Sequence, residues 1–533
     1  MNRWGAGPVV LWALLILAAS ARIILQLSLM PPYAGLDEIY HMARLSFVAQ
    51  EKRNPTSTEP SIPEVLQRSI EQRSNSVPAF GLIGMRWPDV VASGARLPLE
   101  PESESPHRYL GANYEAQQPS FYYSLGAIPI RALAPQSTLT QLRAVRLMAA
   151  MLALVVVVAT AWIGERLYGL PGLVASAMIV SMPTWLTLVM RAGNDAMACA
   201  LLALALCITV SAPRRRGGAF AEGVLWGAAL ATKLYVWPAA IVLPLFWRAQ
   251  RADRRRILVV IILSAGALAL TIADLHSRTR NPLGTFAFDP VSSAATGSTA
   301  AVAIDYAQMV RIFAATLVWT SGQHWNALTG VGMALYVLPI LALLTLPLID
   351  MLRRPGRDRQ MLLIVAASVV AYLAAQTVNA AGYIRFARLQ GASLPSGGKE
   401  GWYLYAFVPI LVGLGLSGAC ARLRRGTLVF LVMLVLFWDL RIHEGALFRD
   451  WAGVTSAAHR SLLFRWGASS VHQSIYYAPL AAGPFASAAA AWRLVHVMAT
   501  LALLVLVIRD SRRELAPVGA IENSPGRSPG KLS

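Results

Sequence analysis

The sequence predicts an all-α polytopic membrane protein with about twelve transmembrane helices and a large first outer loop. Three observations carry this. Of 533 residues, 56% are hydrophobic and only 14% charged, and the apolar residues gather in repeated runs long enough to span a bilayer. The basic residues cluster between or just after these runs: Arg214-Arg215-Arg216, Arg248 to Arg256, Arg353 to Arg359, Arg422 to Arg425 and Arg509 to Arg513. If those clusters are cytoplasmic, twelve spans place every one of them on the same side and both termini inside. The net charge of +20 is thus a topology signal, and no nucleic-acid partner is expected.

In chain order, residues 1–30 hold the first helix, Pro8 to Met30. It is too long for the apolar core of a signal peptide and has no small-residue cleavage site after it. Residues 31–138 form the large outer loop. The loop opens with a helix that starts near Asp37 and runs to about Glu51. A Pro/Ser-rich irregular stretch follows through His107, then an interfacial helix from Gln118 to Leu133. Residues 139–275 carry helices 2 to 7, with helix 3 at about 170–190. Residues 276–328 are a second outer loop. Residues 329–508 carry helices 8 to 12 with further outer loops, and 509–533 are a disordered, Pro/Gly/Ser-rich cytoplasmic tail.

Cys199, Cys207 and Cys420 all sit inside apolar spans, so no disulfide framework is expected. The outer histidines lack zinc spacing. No phosphate-binding loop or dinucleotide fingerprint occurs in a strand–helix context, which sets aside nucleotide-driven chemistry. No internal repeat of the transporter kind is evident.

The polar residues that interrupt apolar runs concentrate at the outer ends. The densest stretch is Gly35-Leu-Asp-Glu-Ile-Tyr-His-Met-Ala-Arg44. On a helix Asp37, His41 and Arg44 share one face, with Glu38 beside them. Arg191, Asn194 and Asp195 lie at another outer end, Lys233 at a third, and Arg385, Arg388 and Lys399 at a fourth. Cations at a membrane surface can hold a phosphate. A carboxylate there can act as general base toward a hydroxyl or bind a divalent metal. Each signal has a bland reading beside it: an interfacial polar face for the Asp37 helix, a helix cap for Asn194-Asp195, a snorkelling lysine for Lys233.

The order of the motifs is more specific. Asp37-Glu38-x-x-His41-x-x-Arg44 follows helix 1, then come Gln118-Pro-Ser-Phe-Tyr-Tyr123, Arg143 and Arg146, Asn194-Asp195, Thr232-Lys233, Asn281-Pro-Leu-Gly284 and Gly401-Trp-Tyr-Leu404. This order resembles bacterial GT-C membrane glycosyltransferases of the protein O-mannosyltransferase-like and aminoarabinose-transferase-like kinds, and most of all an uncharacterised bacterial multi-spanning family allied to them. The resemblance covers residues 1 to about 420.

It implies a GT-C-like fold in the bacterial inner membrane and an active site facing the periplasm. It implies a polyprenyl-phosphate sugar donor and a lipid, glycan or protein acceptor. Asp37 and Glu38 are then the catalytic carboxylates. Arg44, Gln118, Tyr122, Arg191, Lys233, Arg385, Arg388 and Lys399 are the substrate and phosphate contacts. A divalent metal, Mg or Mn, has Glu38, His41 and Asp195 as candidate ligands. Two departures stand out: Gln118-Pro119-Ser120 occurs where many such enzymes carry a lysine, and Trp402 where relatives have an arginine. The competing functions are a transporter or flippase of a lipid-linked glycan and an inactive membrane scaffold.

Overall fold

The computed structural model describes residues 6–30, 32–33, 35, 37–73, 109–211, 216–250, 252–280, 337–389, 401–439 and 489–514. The second outer loop's Asn281-Pro-Leu-Gly284, Lys399, the outer histidines 443, 459 and 472, and the tail beyond 514 lie outside these.

The chain opens with α1 (Ala6–Leu29) and α2 (Glu38–Glu51). A short antiparallel ribbon follows, β1 (Pro60–Pro63) with β2 (Tyr109–Ala112), paired as Pro60 with Ala112 and Ile62 with Leu110. Between them in sequence lies α3 (Glu64–Arg73). The expectation of irregular chain after Glu51 is corrected over Pro60–Arg73, and residues 74–108 lie outside the described residues. The pairing joins segments far apart in sequence, so local patterning gives no sign of it. A 3-10 turn at Tyr114–Gln117 leads into α4 (Phe121–Ala132).

The bundle continues with α5 (Thr138–Tyr168), α6 (Pro171–Val180), α7 (Pro183–Val189) and α8 (Asp195–Ser211). The single helix expected at 170–190 is therefore two. Pro183 has no N–H to give and pushes Met182 into extended backbone (φ −92°, ψ 108°), which ends one helix and starts the next. Then come α9 (Arg216–Leu230), a 3-10 segment Leu234–Ile241 around Pro238, α10 (Val242–Gln250) and α11 (Arg254–Thr279). The last elements are α12 (Leu338–Arg353), α13 (Arg357–Leu389), α14 (Leu404–Cys420, widened to π geometry at Leu411–Leu416), α15 (Arg425–Trp438) and α16 (Ala489–Glu514). Arg385 and Arg388, expected on a loop, belong to the helical backbone of α13.

Among the described residues, five helices are long and apolar enough to cross a membrane, and four shorter apolar helices accompany them. α11 turns Leu258, Ile261, Ile262 and Leu270 outward. A helix whose outer face is apolar suits lipid, where its backbone is already satisfied internally.

The main core includes Leu15, Ala19, Val156, Leu173, Ile179, Cys199, Leu202 and Trp226, all fully buried. A second core caps one end, where Met42, Leu45 and Val48 of α2 pack on Tyr122, Tyr123 and Ala127 of α4 and Leu142 and Val145 of α5. Polar ties identify what meets at each end. At the capped end, Arg146 near the start of α5 bonds the Met30 carbonyl after α1 (2.7 Å), and Arg278 near the end of α11 bonds the Ala116 carbonyl (2.6 Å). At the other end, Trp12 of α1 bonds Glu165 of α5 (3.1 Å), and Arg256 of α11 pairs with Glu222 of α9 (2.7 Å). Arg22, inside α1, makes a two-armed contact with Asp439 (2.7 Å each), and His496 of α16 bonds the Ala18 carbonyl (2.9 Å) and Ser181 (3.1 Å). These buried ties hold the end of α15, α16 and the end of α6 around α1.

Candidate functional site

Four segments converge at the capped end: the residues after α1, the 3-10 turn with α4, the α7–α8 junction and the end of α9. Asp37 is the N-cap residue of α2 and stands in the left-handed region (φ 53°, ψ 9°). Aspartate tolerates that conformation better than most residues, yet it is unusual and concentrates at functional sites. Gly35 lets the chain pass close to the α7–α8 junction, since a Cβ there would fall 2.6 Å from Arg191 Cβ.

The carboxylates at this end play different parts. Glu38 is sealed. Its oxygens accept from Arg146 Nε (2.8 Å) and Nη2 (2.6 Å), from the Ala192 amide (2.8 Å) and from the Gly35 amide (3.2 Å). Burial raises its pKa, but the Arg146 charge and hydrogen bonds outweigh that and hold the carboxyl below its usual range. Asp195 begins α8 and is equally occupied: Arg191 Nη2 and Lys233 Nζ each bond it at 2.5 Å, and Lys233 also bonds Asn194 (3.0 Å). Asp37 differs. Its side chain keeps 31% of its surface open, while those of Glu38 and Asp195 keep 0% and 1%. Arg191 Nη1 stands 3.9 Å from it, near but beyond hydrogen-bond reach. Burial raises the Asp37 carboxyl above its usual value, against the pull of Arg191 and Lys233.

The expected contacts fall into three groups. Arg191 and Lys233 join Asp37 and Asp195 in one cluster. Arg44 lies beside it, with its guanidinium engaged elsewhere. Its guanidinium holds the 3-10 turn, donating to the Gln118 carbonyl (2.8 Å) and Asn54 (2.8 Å), and lies 3.7 Å from the centroid of the Tyr123 ring. Gln118 and Tyr122 are buried, and Gln118 Oε1 and the Tyr122 hydroxyl have no hydrogen-bond partner among the described residues. The Tyr122 hydroxyl lies within the fields of Arg191, Asp195 and Glu38, and a buried hydroxyl without a partner is costly unless a ligand completes it.

The metal set Glu38, His41 and Asp195 does not assemble. Glu38 and Asp195 spend their oxygens on the cations above, and His41 Nδ1 contacts the Tyr123 hydroxyl at 2.7 Å. No three such groups converge among the described residues. The residues present therefore do not fit a metal at that position, and no step is assigned to one.

Sequence reasoning passed over Glu115 and Arg146 as members of the site. Glu115 sits on the 3-10 turn, its amide capped by Asn113 (2.9 Å) and its carboxylate receiving the Tyr123 O–H (3.0 Å). Burial first, and then the negative charge of Asp37, push its carboxyl up to about 7. Its signal in the sequence is a single carboxylate in an otherwise uncharged, aromatic-rich outer stretch.

The fold and site define a helical bundle of the membrane-spanning kind, with an open carboxylate beside a buried pair of cations at one end. Residues 22–411 match the family described as Predicted membrane protein (DUF2142), and the chain belongs to that family. No curated protein matches the sequence. Solved structures are similar at low identity. ArnT from Cupriavidus metallidurans bound to undecaprenyl phosphate is 15% identical, with a TM-score of 0.39, over 87% of this chain and 74% of that one. The archaeal oligosaccharyltransferase AglB from Archaeoglobus fulgidus, in complex with an inhibitory peptide and a dolichol-phosphate, is 12% identical, with a TM-score of 0.40, over 88% of this chain and 55% of that one.

Proposed function

We propose that the chain is a membrane glycosyltransferase that moves a sugar from a polyprenyl-phosphate carrier to a lipid, glycan or protein acceptor at the outer, periplasmic face of the bacterial inner membrane. The observation that carries this reading is the contrast among the carboxylates. Asp37 alone of the cluster is open, and it faces two cations, Arg191 and Lys233, that are already gathered at Asp195.

The chemistry follows from that placement. Asp37 takes the proton of the acceptor hydroxyl as the oxygen attacks the anomeric carbon. The bond from that carbon to the phosphate oxygen breaks, and the phosphate leaves with the electron pair. Arg191 and Lys233 are the cations that take up the growing charge in this reading, and the Tyr122 hydroxyl can add one hydrogen bond. The raised pKa of Asp37 makes it a better base than an exposed aspartate. One displacement of this kind inverts the anomeric centre. Undecaprenyl phosphate and dolichol-phosphate, named with ArnT and AglB, are carriers of the proposed class.

The test is transfer of radiolabelled sugar by purified protein in nanodiscs. Asp37→Asn keeps the size and one acceptor oxygen, and a lost general base costs about 100- to 10,000-fold in rate. An inserted, folded Asp37→Asn protein that turns over like wild type removes Asp37 from catalysis. Transbilayer movement of the labelled lipid by wild type, without any transfer, replaces the reading with a flippase.

A further inference from the structure

The mechanism above leaves unused a buried chain of three titratable groups beside Asp37. His41 Nδ1 meets the Tyr123 hydroxyl at 2.7 Å, and that hydroxyl donates to Glu115 Oε2 at 3.0 Å. With Glu115 ionised the tyrosine proton goes to it, so Nδ1 carries a proton and donates it to the tyrosine oxygen. That fixes the tautomer and leaves a lone pair on His41 Nε2. The Nε2 edge of the ring faces the cluster: a Cβ on Gly193 would fall 3.1 Å from His41 Cδ2 and 3.0 Å from Arg191 Nε. Nε2 has no hydrogen-bond partner among the described residues.

We propose that His41, Tyr123 and Glu115 form a proton relay for the site, with His41 Nε2 as the end that meets the substrate and Glu115 as the end that stores the proton. This deepens the transferase reading and rests on it. In one passage, Nε2 takes on the proton that Asp37 has drawn from the acceptor hydroxyl. The Nδ1 proton passes to the tyrosine oxygen as the tyrosine proton passes to Glu115. One proton has moved to Glu115, and the imidazole ends neutral in its other tautomer.

The surroundings favour a relay over a lone histidine base. Burial and the charges of Arg191, Lys233 and Arg44 hold the imidazole pKa well below its usual value, so a doubly protonated ring is heavily disfavoured. A relay never forms that cation. Glu115 suits the storing end. Asp37, Tyr40, His41, Arg44, Tyr123, Arg191 and Lys233 face it, and burial together with Asp37 places its titration at about 7. Tyr123 stays protonated overall because burial raises its hydroxyl well above the usual value. Rigidity helps as well. The Glu115 amide is capped by Asn113 and its carbonyl receives Arg44 Nη1 (2.5 Å), so the carboxylate is aimed by its own backbone.

The experiment uses the full chain in nanodiscs and has two arms. In the transfer assay, Glu115→Gln and Tyr123→Phe each lower turnover about 100-fold, with the donor KM within about threefold of wild type. Tyr123→Phe keeps the ring against His41 and Arg44 and guards against simple misfolding. Wild-type turnover and an unchanged pH profile in both variants overturn the proposal. In infrared difference spectra across pH, wild type loses a protonated-carboxyl band as pH rises through about 7. The band is absent in Glu115→Gln, and its midpoint moves up in Tyr123→Phe, because the carboxylate has lost a hydrogen-bond donor. A band that persists in Glu115→Gln, or a midpoint unmoved in Tyr123→Phe, overturns the relay. If wild type transfers no sugar, the transferase reading falls, and the infrared arm by itself decides whether the relay exists.

Discussion

Arg146→Met should destabilise the protein by about 3–5 kcal/mol, the cost of leaving a buried charge without its partner. The site explains the size. Arg146 supplies two of the four hydrogen bonds to Glu38, at 2.8 and 2.6 Å, and ties the Met30 carbonyl at 2.7 Å. The Glu38 side chain is fully buried, and that of Arg146 keeps only 7% of its surface open. After the change, Glu38 retains the Ala192 and Gly35 amides but no positive charge. It must then stay ionised at a cost or take up a proton. Adding Glu38→Gln removes the orphaned charge, so the double variant should cost less than the two single variants summed, by at least about 1 kcal/mol. The assay is unfolding in mixed micelles followed by tryptophan fluorescence, run on wild type, both singles and the double. An Arg146→Met protein within about 0.5 kcal/mol of wild type, or strictly additive single variants, would refute the argument.

Glu115 should make stability fall with rising pH. Its carboxyl is raised from 4.5 to about 7 in the folded state, so the folded protein holds that proton more tightly. The stabilisation is complete below about 4.5 and lost as pH climbs through about 7, on the order of 3 kcal/mol; Glu115→Gln should flatten that part of the profile, and a wild-type slope in the variant would exclude Glu115 as its source. Lys233→Gln should raise the donor KM about tenfold or more, because an ionic contact to phosphate is lost, whereas an unchanged KM would take Lys233 out of the phosphate site. The topology is checked by cysteines at the exposed positions Thr58 and Gly217: an impermeant thiol reagent should reach only Thr58→Cys from the outer face, and same-side labelling of both would end the proposed orientation.

Much of the capped end can be read from the sequence because its signals are local. The turn after α1, the helix ending at Glu51 and the carboxylate at its start all follow from short-range patterning. Arg191, Asp195 and Lys233, which the sequence reading sets at outer helix ends, do converge as ion pairs. What the sequence hides is long-range. The β1–β2 pairing, the seal of Arg146 on Glu38 and the reach of Glu115 to His41 join residues from separate segments. Charge patterning also misleads in one place. Arg256 belongs to a cluster that reads as a solvated cytoplasmic loop, yet its side chain is buried against Glu222 and Gln250. A lone carboxylate inside the apolar α9 is the clue that such a partner exists, since a buried charge needs one.

The division of labour among the acidic groups gives the site its electrostatic logic. Asp37, Glu38, Glu115 and Asp195 face Arg44, Arg146, Arg191 and Lys233, four of each sign when all are ionised. Such balance lets a dense set of charges be buried, because the opposite charges offset one another across the cluster. It would also make the site indifferent to a phosphate. Glu115 breaks the balance: with its carboxyl titrating at about 7, the cluster becomes net positive by one charge whenever Glu115 holds its proton. A site that gains positive charge by protonating a group next to its proposed base is matched to an anionic carrier head group and a transferable proton together. The open Asp37 and the buried Glu115 are thus two ends of one electrostatic device, coupled through the same pair of cations, Arg191 and Lys233.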